Sequence, residues 1–356
     1  MKYFENFVSN SIAGSGSQKT FSMQKGETRV SRVYYKIACG GTFDYSFLYT
    51  NVIDSTFADG SECHKNYVCD EWELLGLRAA VTNGCAPDEP FINAIELTFD
   101  GKKTKTVHPA EFFTSDPARL TVNEHQYLCL ELTFSGTVLP HHPEIQIPVF
   151  IKNGETWVDG KETPVPSMIG CKRAVKKRVG FLGDSITQGC GVPFNSYEHY
   201  TAHVSKAIGT EYSFWNLGLG YARADDMASL GAWFYKAKQL DVACVCFGVN
   251  DINRGFSAQT IKKNLTVIVD ELTKAGIRVL IQSIPPFDYN EEKTLIWNDV
   301  NEYIKTELSK KAVYFDNVHI LGVEGAPQMA KYVGHPNPEG CKLWANELTE
   351  VLKTLL

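Results

Sequence analysis

The sequence has no uninterrupted apolar run of the roughly 18 residues that a membrane-spanning helix requires. Its first residues also lack the long apolar core and small-residue cleavage site of a secretory signal. Acidic residues outnumber basic ones, 41 against 35, and the formal net charge of -6 argues against a nucleic-acid-binding surface. We therefore expect a cytoplasmic protein that binds neither membranes nor nucleic acids.

The ten cysteines lack the closely spaced pairs that are typical of zinc sites. Cys129, Cys244 and Cys246 lie in predicted strands, and the last two have the i, i+2 spacing of one strand face. In a chain without an export signal, such thiols stay reduced and partly buried. We expect no metal site and no cofactor.

The length of 356 residues exceeds that of a typical single domain, so we expect two domains, each with its own core. The predicted domains are residues 1–170 and 171–356. Residues 164–178 contain prolines and then a cluster of basic residues. This composition is typical of a solvated connector, and we interpret the segment as the linker.

Residues 1–170 show no long amphipathic helical pattern. Residues 43–52 alternate aromatic and polar side chains, which predicts a half-buried strand. The dipeptides at 100–101 and 153–154, Asp-Gly and Asn-Gly, fit two-residue hairpins between flanking strands. Several short strands with such turns predict an all-β sandwich, jelly-roll-like in form.

Two features of this half have both a structural and a functional interpretation. His141, His142 and Glu144 lie close together, either in a polar loop or in a loop that leans on an active site. Tyr45 and its aromatic neighbours serve either core packing or stacking against a sugar. We expect the structural use in both cases, because prolines and polar residues collect in loops and aromatic side chains mostly pack in cores.

Strands and helices alternate in the second half. The predicted strands are residues 178–182, 212–217, 242–247, 279–284 and 313–315. The predicted helices are residues 197–208, 224–237, 258–275, 291–310 and 338–356. Almost wholly apolar strands are typical of a parallel sheet covered by helices on both faces, whose ligand crevice lies at the carboxyl ends of the strands.

Four polar, glycine-containing segments follow these strands or precede the last helix: residues 183–189, 216–221, 248–251 and 334–340. Ser185 lies in the first segment, in a turn from a strand to a helix that faces the crevice. An exposed serine is a weak nucleophile until a base activates it. Each segment alone is a weak signal, but the four in this order are specific.

In this order, the four segments resemble the four blocks of the SGNH, or GDSL, hydrolase superfamily. The resemblance covers about residues 172–356 and implies a three-layer, flavodoxin-like α/β/α domain. It implies that Ser185 is the nucleophile and that His335 is its general base. It also implies an oxyanion hole formed by Asn250 and the backbone N–H groups of Ser185 and Gly220. One such donor typically lowers the barrier by ~2.7–4 kcal/mol.

Other residues of these segments have supporting roles in this interpretation. We expect Asp184 and Asp251 to hold loops by accepting backbone N–H bonds. Pro286 and Phe287 follow the fourth predicted strand and form either a packed turn or a stiff wall for a small acyl group. Tyr221, at the end of the second segment, is a candidate sugar contact.

The chain departs from the family pattern at two positions. The donor glycine of the second block usually lies where this chain has Tyr221, and the nearest glycine is Gly220. A backbone N–H is available from either residue. The family usually has an aspartate three residues before the histidine, where this chain has Tyr332. We therefore predict a Ser185–His335 dyad, and the sequence leaves open whether a backbone carbonyl or another carboxylate orients the imidazole.

Asp316 and His319 also have the spacing of an aspartate and histidine pair. His319, however, lies directly after a predicted strand and lacks the proline and asparagine that follow His335. We expect His335 to be the base.

A β-sandwich before an SGNH domain that lacks this aspartate resembles carbohydrate esterase family 2. That resemblance implies a serine esterase that removes acetyl groups from a sugar or oligosaccharide. The alternatives are a broader short-chain acyl esterase, lipase-like enzyme or thioesterase, and a catalytically weak carbohydrate-binding protein. The sequence specifies neither the sugar nor the oligomeric state.

Overall fold

The computed structural model describes residues 2–55, 65–321, 330–331 and 334–356, with only the backbone of residues 330–331. The chain forms two compact units that divide after Ala174. The first unit contains the described residues of 2–54 and 65–174, and the second contains Val175–Leu356.

The first unit is rich in β-structure. It begins with a short helix, α1 (Tyr3–Asn6). The strands are β1 (Val8–Ser9), β2 (Lys19–Ser22), β3 (Thr28–Lys36), β4 (Gly41–Thr50), β5 (Trp72–Thr82), β6 (Asn93–Glu96), β7 (Lys105–Val107), β8 (Phe112–Thr114), β9 (Ala118–Val122), β10 (Tyr127–Gly136), β11 (Val138–His141), β12 (Val149–Asn153), β13 (Thr156–Asp159) and β14 (Met168–Cys171).

These strands form antiparallel sheets. One sheet has the order β1-β14-β4-β8, and β9 also pairs with β4. A larger sheet has the order β13-β12-β3-β10-β5-β6, and β7 also pairs with β5. Strand β11 pairs with β2. The predicted sheet-rich domain is confirmed, while its sandwich or jelly-roll form stays a prediction.

Strand β4 is more deeply buried than the alternating sequence predicts. Tyr45, Phe47, Leu48 and Tyr49 are each at most 1% exposed, and so is Ser46 between them. The strand therefore buries both faces from Tyr45 onward, whereas residues 41–44 are partly or fully exposed, so the prediction of a half-buried strand is wrong for its second part. Its aromatic side chains belong to the core, so Tyr45 offers no surface on which a sugar could stack.

The two predicted hairpins differ in outcome. Asp100 and Gly101 do form a tight turn with φ of 51° and 78°. The flanking strands β6 and β7, however, both pair with β5, so the predicted hairpin is limited to the bridge between Phe99 and Lys102. The second dipeptide, residues 153–154, joins β12 to β13, which pair as an antiparallel hairpin.

The predicted linker, residues 164–178, contains strand β14. This strand is wholly buried and pairs with β4 and β1. The apolar Met168 and Ile169 and the small Gly170 and Cys171 fit such a covered position, which the composition of the whole segment had masked.

The second unit alternates strands and helices. Its strands are β15 (Arg178–Gly183), β16 (Ser213–Gly218), β17 (Val242–Cys246), β18 (Arg278–Gln282), β19 (Val313–Phe315), β20 (Ala330–Lys331) and β21 (His335–Pro336). Its helices are α2 (Ser185–Gln188), α3 (Tyr200–Ile208), α4 (Ala224–Ala228), α5 (Ala232–Ala237), α6 (Val249–Asn253), α7 (Ala258–Lys274), α8 (Glu291–Thr306), α9 (Val318–Leu321) and α10 (Pro338–Lys353), with a 3₁₀ turn at Leu308–Lys310. In the described parts of the chain, no helix combines the length and apolar character needed to cross a bilayer.

The main sheet of this unit is parallel and has the order β16-β15-β17-β18-β19. This is the flavodoxin-like strand order, in which the ligand crevice lies at the carboxyl ends of the strands where the order reverses. Here the order reverses at β15, whose neighbours are β16 and β17. Helix α3 packs on α10, whereas α4 and α8 pack on α7. The predicted mixed α/β class is confirmed.

The predicted helix over residues 224–237 is two helices, α4 and α5. Leu230 has a φ of 57°, in the left-handed region, so the α-helix cannot continue through it. Gly231 then caps the N-terminus of α5. Propensity and apolar spacing alone did not reveal this break, because leucine is a good helix former.

Candidate active site

Ser185 lies just after β15, the strand of the parallel sheet at which the strand order reverses. Strand β15 ends at Gly183, and Asp184 caps helix α2 by accepting the N–H of Ile186 at 3.0 Å. Ser185 is the first residue of this helix, so its own N–H has no intrahelical acceptor. The turn thus brings a hydroxyl and a backbone donor to the same end of the sheet.

His335 lies far from Ser185 in the sequence, near the C-terminal end of the second unit. It lies in β21, immediately before α10, whose N-cap Asn337 accepts the N–H of Gly340 at 2.8 Å. The Nε2 atom of His335 is 2.8 Å from the Oγ atom of Ser185. Two side chains separated by 150 residues therefore lie within hydrogen-bond distance.

Buried aromatic contacts connect the helix after His335 to the helix that begins with Ser185. The rings of Tyr200 in α3 and Trp344 in α10 stack at 4.4 Å. The Tyr200 hydroxyl is 2.9 Å from the Thr187 hydroxyl in α2, and the indole N–H of Trp344 donates to Gln282 at 2.9 Å. These contacts fix α10 relative to the turn that carries the serine.

Asn250 lies in α6, just after β17. Its Nδ2 atom donates to the carbonyl oxygen of Ala222 at 3.0 Å. A primary amide carries two N–H groups, so this bond orients the side chain and uses only one of them. The second N–H can therefore serve as a donor in the crevice.

The backbone N–H of Gly220 is already used within the protein. It donates to Oε1 of Gln188 at 2.5 Å, and Gln188 is 1% exposed. This bond already uses the N–H that the sequence assigns to the oxyanion site, which disfavours Gly220 as the donor there, and its role stays a prediction. The next residue, Tyr221, has a φ of 57°, a conformation that glycine adopts far more readily than a bulky residue. Position 221, which usually carries the donor glycine in the family, thus keeps a glycine-like backbone.

Two buried amide side chains that sequence reasoning missed hold the first and second segments together. They are Gln188 and Asn216. The Nδ2 atom of Asn216 donates to the carbonyl oxygen of Thr187 at 3.0 Å. Its Oδ1 accepts the N–H of Gly218 at 2.9 Å. The available signal was an amide side chain in a segment of otherwise small or apolar residues next to a strand. A buried amide needs hydrogen-bond partners, so such a residue is expected to connect neighbouring segments.

Asp184 and Asp251 each accept a backbone N–H, and for Asp251 the donor is Ala224 at 2.9 Å. Both carboxyl groups are buried, with 3% and 0% exposure. Burial raises the pKa of each to about 7, and the charge of Asp251 further raises the pKa of Asp184. Two loop-holding carboxyl groups near the serine therefore titrate around neutral pH.

Pro286 and Phe287 lie in the segment that follows β18. With Tyr289, Thr294 and Trp297 they line a small cavity. The ring of Phe287 is 9% exposed and lies 5.7 Å from the ring of His335. Phe287 therefore contacts the candidate base itself.

Asp316 and His319, the second aspartate and histidine pair, form hydrogen bonds with residues other than Ser185. Asp316 accepts the N–H of Val318 at 3.0 Å and the hydroxyl of Ser283 at 3.3 Å. His319 is hydrogen-bonded to Glu347 at 2.8 Å, and its side chain is 59% exposed. These contacts favour His335 over His319 as the partner of Ser185. Tyr332 lies outside the described residues.

The histidine cluster of the first unit is buried. His141 belongs to β11 and His142 follows it, with 6% and 0% exposure. Burial lowers the pKa of His141 to about 4 and raises that of Glu144 to about 7. Glu144 accepts a hydrogen bond from Gln18 at 3.0 Å. His142 and Glu144 lie in the connection between β11 and β12, so the predicted loop is present, but both histidines are buried within their unit.

The described residues contain no group of three or more histidine, cysteine, aspartate or glutamate side chains placed to hold a metal ion. The nine cysteines in the described ranges are free thiols, and Cys129, Cys244 and Cys246 are buried. Burial raises the pKa of Cys129 to about 12, so its thiol is protonated at neutral pH.

A comparison with protein families finds that the GDSL-like Lipase/Acylhydrolase family matches residues 181–343. This match confirms the resemblance inferred from the four segments. The second half of the chain is thus similar to the GDSL-like family over most of its length. No curated protein gives a significant match to the chain.

Several solved structures are similar to about half of the chain. A putative GDSL lipolytic protein from Desulfitobacterium hafniense DCB-2 has 19% identity, a TM-score of 0.43, and coverage of 49% of this chain and 98% of its own. A carbohydrate esterase family 3 protein from Talaromyces cellulolyticus has 19% identity, a TM-score of 0.41, and coverages of 50% and 97%. A mutant acetyl-xylooligosaccharide esterase from Geobacillus Stearmophilus has 16% identity, a TM-score of 0.42, and coverages of 50% and 95%.

Proposed function

We propose that the second unit is a serine esterase that removes acetyl or other short acyl groups from a carbohydrate, with the first unit as an accessory domain. The observation that carries this proposal is the 2.8 Å contact between Ser185 Oγ and His335 Nε2. The GDSL-type match over residues 181–343 supports the reaction class. The carbohydrate part rests on the domain order and on Tyr332 in place of an aspartate, the two features that resemble carbohydrate esterase family 2.

In the first step, His335 acts as a general base. Its Nε2 takes the hydroxyl proton of Ser185 while the serine oxygen attacks the carbonyl carbon of the ester. The carbonyl oxygen becomes negatively charged in the tetrahedral intermediate. Stabilising that charge is the main task of the surrounding donors.

Three N–H groups form the oxyanion site in this proposal. They are the backbone N–H of Ser185, the second amide N–H of Asn250 and the backbone N–H of Tyr221. Tyr221 replaces Gly220 in this role, because Gly220 donates to Gln188 and because position 221 has the left-handed backbone expected for the donor glycine. None of these donors titrates, so the site stays competent over a wide pH range.

When the first intermediate collapses, His335 acts as a general acid. His335 gives its proton to the leaving alcohol oxygen of the sugar, and the acyl group remains on Ser185 as an ester. A water molecule then attacks this ester while His335 takes its proton. Collapse of the second intermediate releases the carboxylic acid and returns the proton to Ser185.

The test compares wild-type protein with Ser185→Ala on 4-nitrophenyl acetate, 4-nitrophenyl decanoate and an acetylated oligosaccharide. The proposal predicts rapid acetate turnover that the alanine variant loses, together with acetate release from the oligosaccharide. A preference for decanoate would instead indicate a lipase-like enzyme. Turnover no faster than that of the alanine variant would indicate a carbohydrate-binding protein.

A further inference from the structure

The segment that carries Phe287 is held firmly at its start. The N–H of Ile284 donates to Asn301 Oδ1 at 2.7 Å. The carbonyl oxygen of Ile284 accepts the indole N–H of Trp297 at 2.9 Å. Two prolines follow, at 285 and 286, and each restricts its φ to about −65°. Helix α8, which supplies both partners, therefore fixes the position of Phe287.

Phe287 packs against both the side chain and the backbone of the His335 segment. The two rings lie 5.7 Å apart at an interplanar angle of 71°, an edge-to-face arrangement. A Cβ atom on Gly334 would lie 2.7 Å from Cδ2 and 3.1 Å from Cα of Phe287. The backbone just before His335 thus approaches Phe287 so closely that only glycine fits.

A second backbone segment approaches the His335 segment with similar closeness. Gly191, in the loop after α2, has a φ of 105°. A Cβ atom there would lie 3.0 Å from the Cβ atom of His335 and 2.6 Å from the carbonyl oxygen of Pro336. Phe287 and the backbone of Gly191 therefore both approach the His335 segment closely, and both neighbours restrict its position.

We infer that Phe287 is a positioning residue, which holds the imidazole of His335 in line with Ser185 by packing. The inference rests on the proposed function, in which His335 is the base. In related hydrolases a carboxylate orients the imidazole, and this chain has Tyr332 where that aspartate is expected. A packed aromatic ring restricts the imidazole mechanically, and a misplacement of about 1 Å can lower a rate by ~100-fold.

The alternative role of Phe287 is that of a wall of the acyl pocket. The dependence of the rate on acyl chain length distinguishes the two roles. We expect Phe287→Ala to lower kcat by about 10- to 100-fold for both 4-nitrophenyl acetate and 4-nitrophenyl butyrate, with KM within about threefold of wild type. A pocket wall predicts a gain for butyrate relative to acetate. Phe287→Leu, which keeps apolar bulk against the imidazole, should restore most of kcat for both esters.

A matched control is Phe234→Leu in helix α5, where the ring is 4% exposed and is outside the active site. Phe234→Leu should lower thermal stability but should leave kcat close to that of the wild type. An unchanged acetate kcat in folded Phe287→Ala, or a shifted acyl preference, would overturn the inference alone. A wild-type rate no higher than that of Ser185→Ala would overturn the proposed function and the inference together. If Phe287→Ala does not fold, Phe287→Val replaces it: the short side chain removes most of the packing against the imidazole, so the same loss of kcat for both esters is expected, and an unchanged acetate kcat would overturn the inference.

Discussion

Gln188 Oε1 accepts the backbone N–H of Gly220 at 2.5 Å, which joins the turn that carries the candidate nucleophile to the loop of the second segment. Asn216 joins the same two segments through Thr187. Because both amides are buried, the loop before Tyr221 has its position set by side chains of the first and second segments. In the proposed mechanism, the geometry of the oxyanion site thus depends on these two buried amides.

Replacement of Gln188 tests this dependence. Gln188→Met keeps the length of the side chain but leaves the buried N–H of Gly220 without its acceptor, which costs about 1–3 kcal/mol. We expect kcat to fall roughly tenfold or more, because the donor loop shifts. Urea unfolding and steady-state kinetics measure both effects. Gln239→Met, at an exposed amide in the same unit, is the control and should change stability by less than about 0.5 kcal/mol.

Asn250→Ala tests the side-chain donor. Loss of a single oxyanion donor typically lowers kcat by about 100- to 1,000-fold, and KM should change little because the charge develops only in the transition state. Kinetics on 4-nitrophenyl acetate provide the measurement. Asn253→Ala, in the same helix, removes an amide that accepts from Lys293 and should keep kcat within a few-fold. A similar loss of kcat in both variants would mean that a disturbance of helix α6 causes the loss, and not the removal of the Asn250 donor.

The buried carboxyl groups of Asp184 and Asp251 predict a pH-dependent stability. Burial raises the pKa of each from 3.8 in the unfolded chain to about 7 in the folded protein. The folded state therefore binds protons more tightly, and this contribution is complete below pH 3.8 and is lost as the pH rises through about 7. We expect the free energy of unfolding to fall over that range by an amount on the order of a few kcal/mol.

Asp184→Asn isolates one of these groups. The amide oxygen can still accept the N–H of Ile186, but the side chain no longer titrates. Urea unfolding at a series of pH values should therefore show a shallower decline than wild type between weakly acidic and neutral pH. Identical slopes for the two proteins would mean that Asp184 is already ionised at acidic pH in the folded state.

Asp316→Asn tests whether a carboxylate assists His335. Because Asp316 accepts from Val318 and Ser283, we expect kcat to stay within about tenfold of wild type. Loss of the aspartate of a true triad lowers kcat by roughly ten-thousandfold. A loss of that size would show that the dyad is assigned wrongly.

The sequence predicts the convergence of Ser185, Asn250 and His335 because each follows a strand or precedes the last helix. The carboxyl ends of parallel strands meet at one edge of a sheet, so strand order and chain polarity suffice to bring such residues together. The same reasoning located the apolar strands of the second unit, since a run such as residues 242–247 has no other way to bury both faces.

The details that sequence reasoning missed depend on contacts between distant side chains. The hydrogen bond that uses the N–H of Gly220 is accepted by Gln188, 32 residues earlier in the sequence. The break at Leu230 requires a left-handed residue in an otherwise helical pattern. The burial of β4 involves side chains from distant segments, such as Phe113, which stacks on Tyr49, and Tyr3, which donates to the carbonyl oxygen of Ser46, and no local pattern encodes these contacts.

The most direct test of the central claim is to locate the acyl group during turnover. Wild-type protein is mixed with 4-nitrophenyl acetate, quenched with acid in the steady state and analysed by peptide mass spectrometry. The account predicts an acetyl group on Ser185, and no acetylation of that peptide in Ser185→Ala. An acetyl group on another residue, or rapid turnover by the alanine variant, would contradict it.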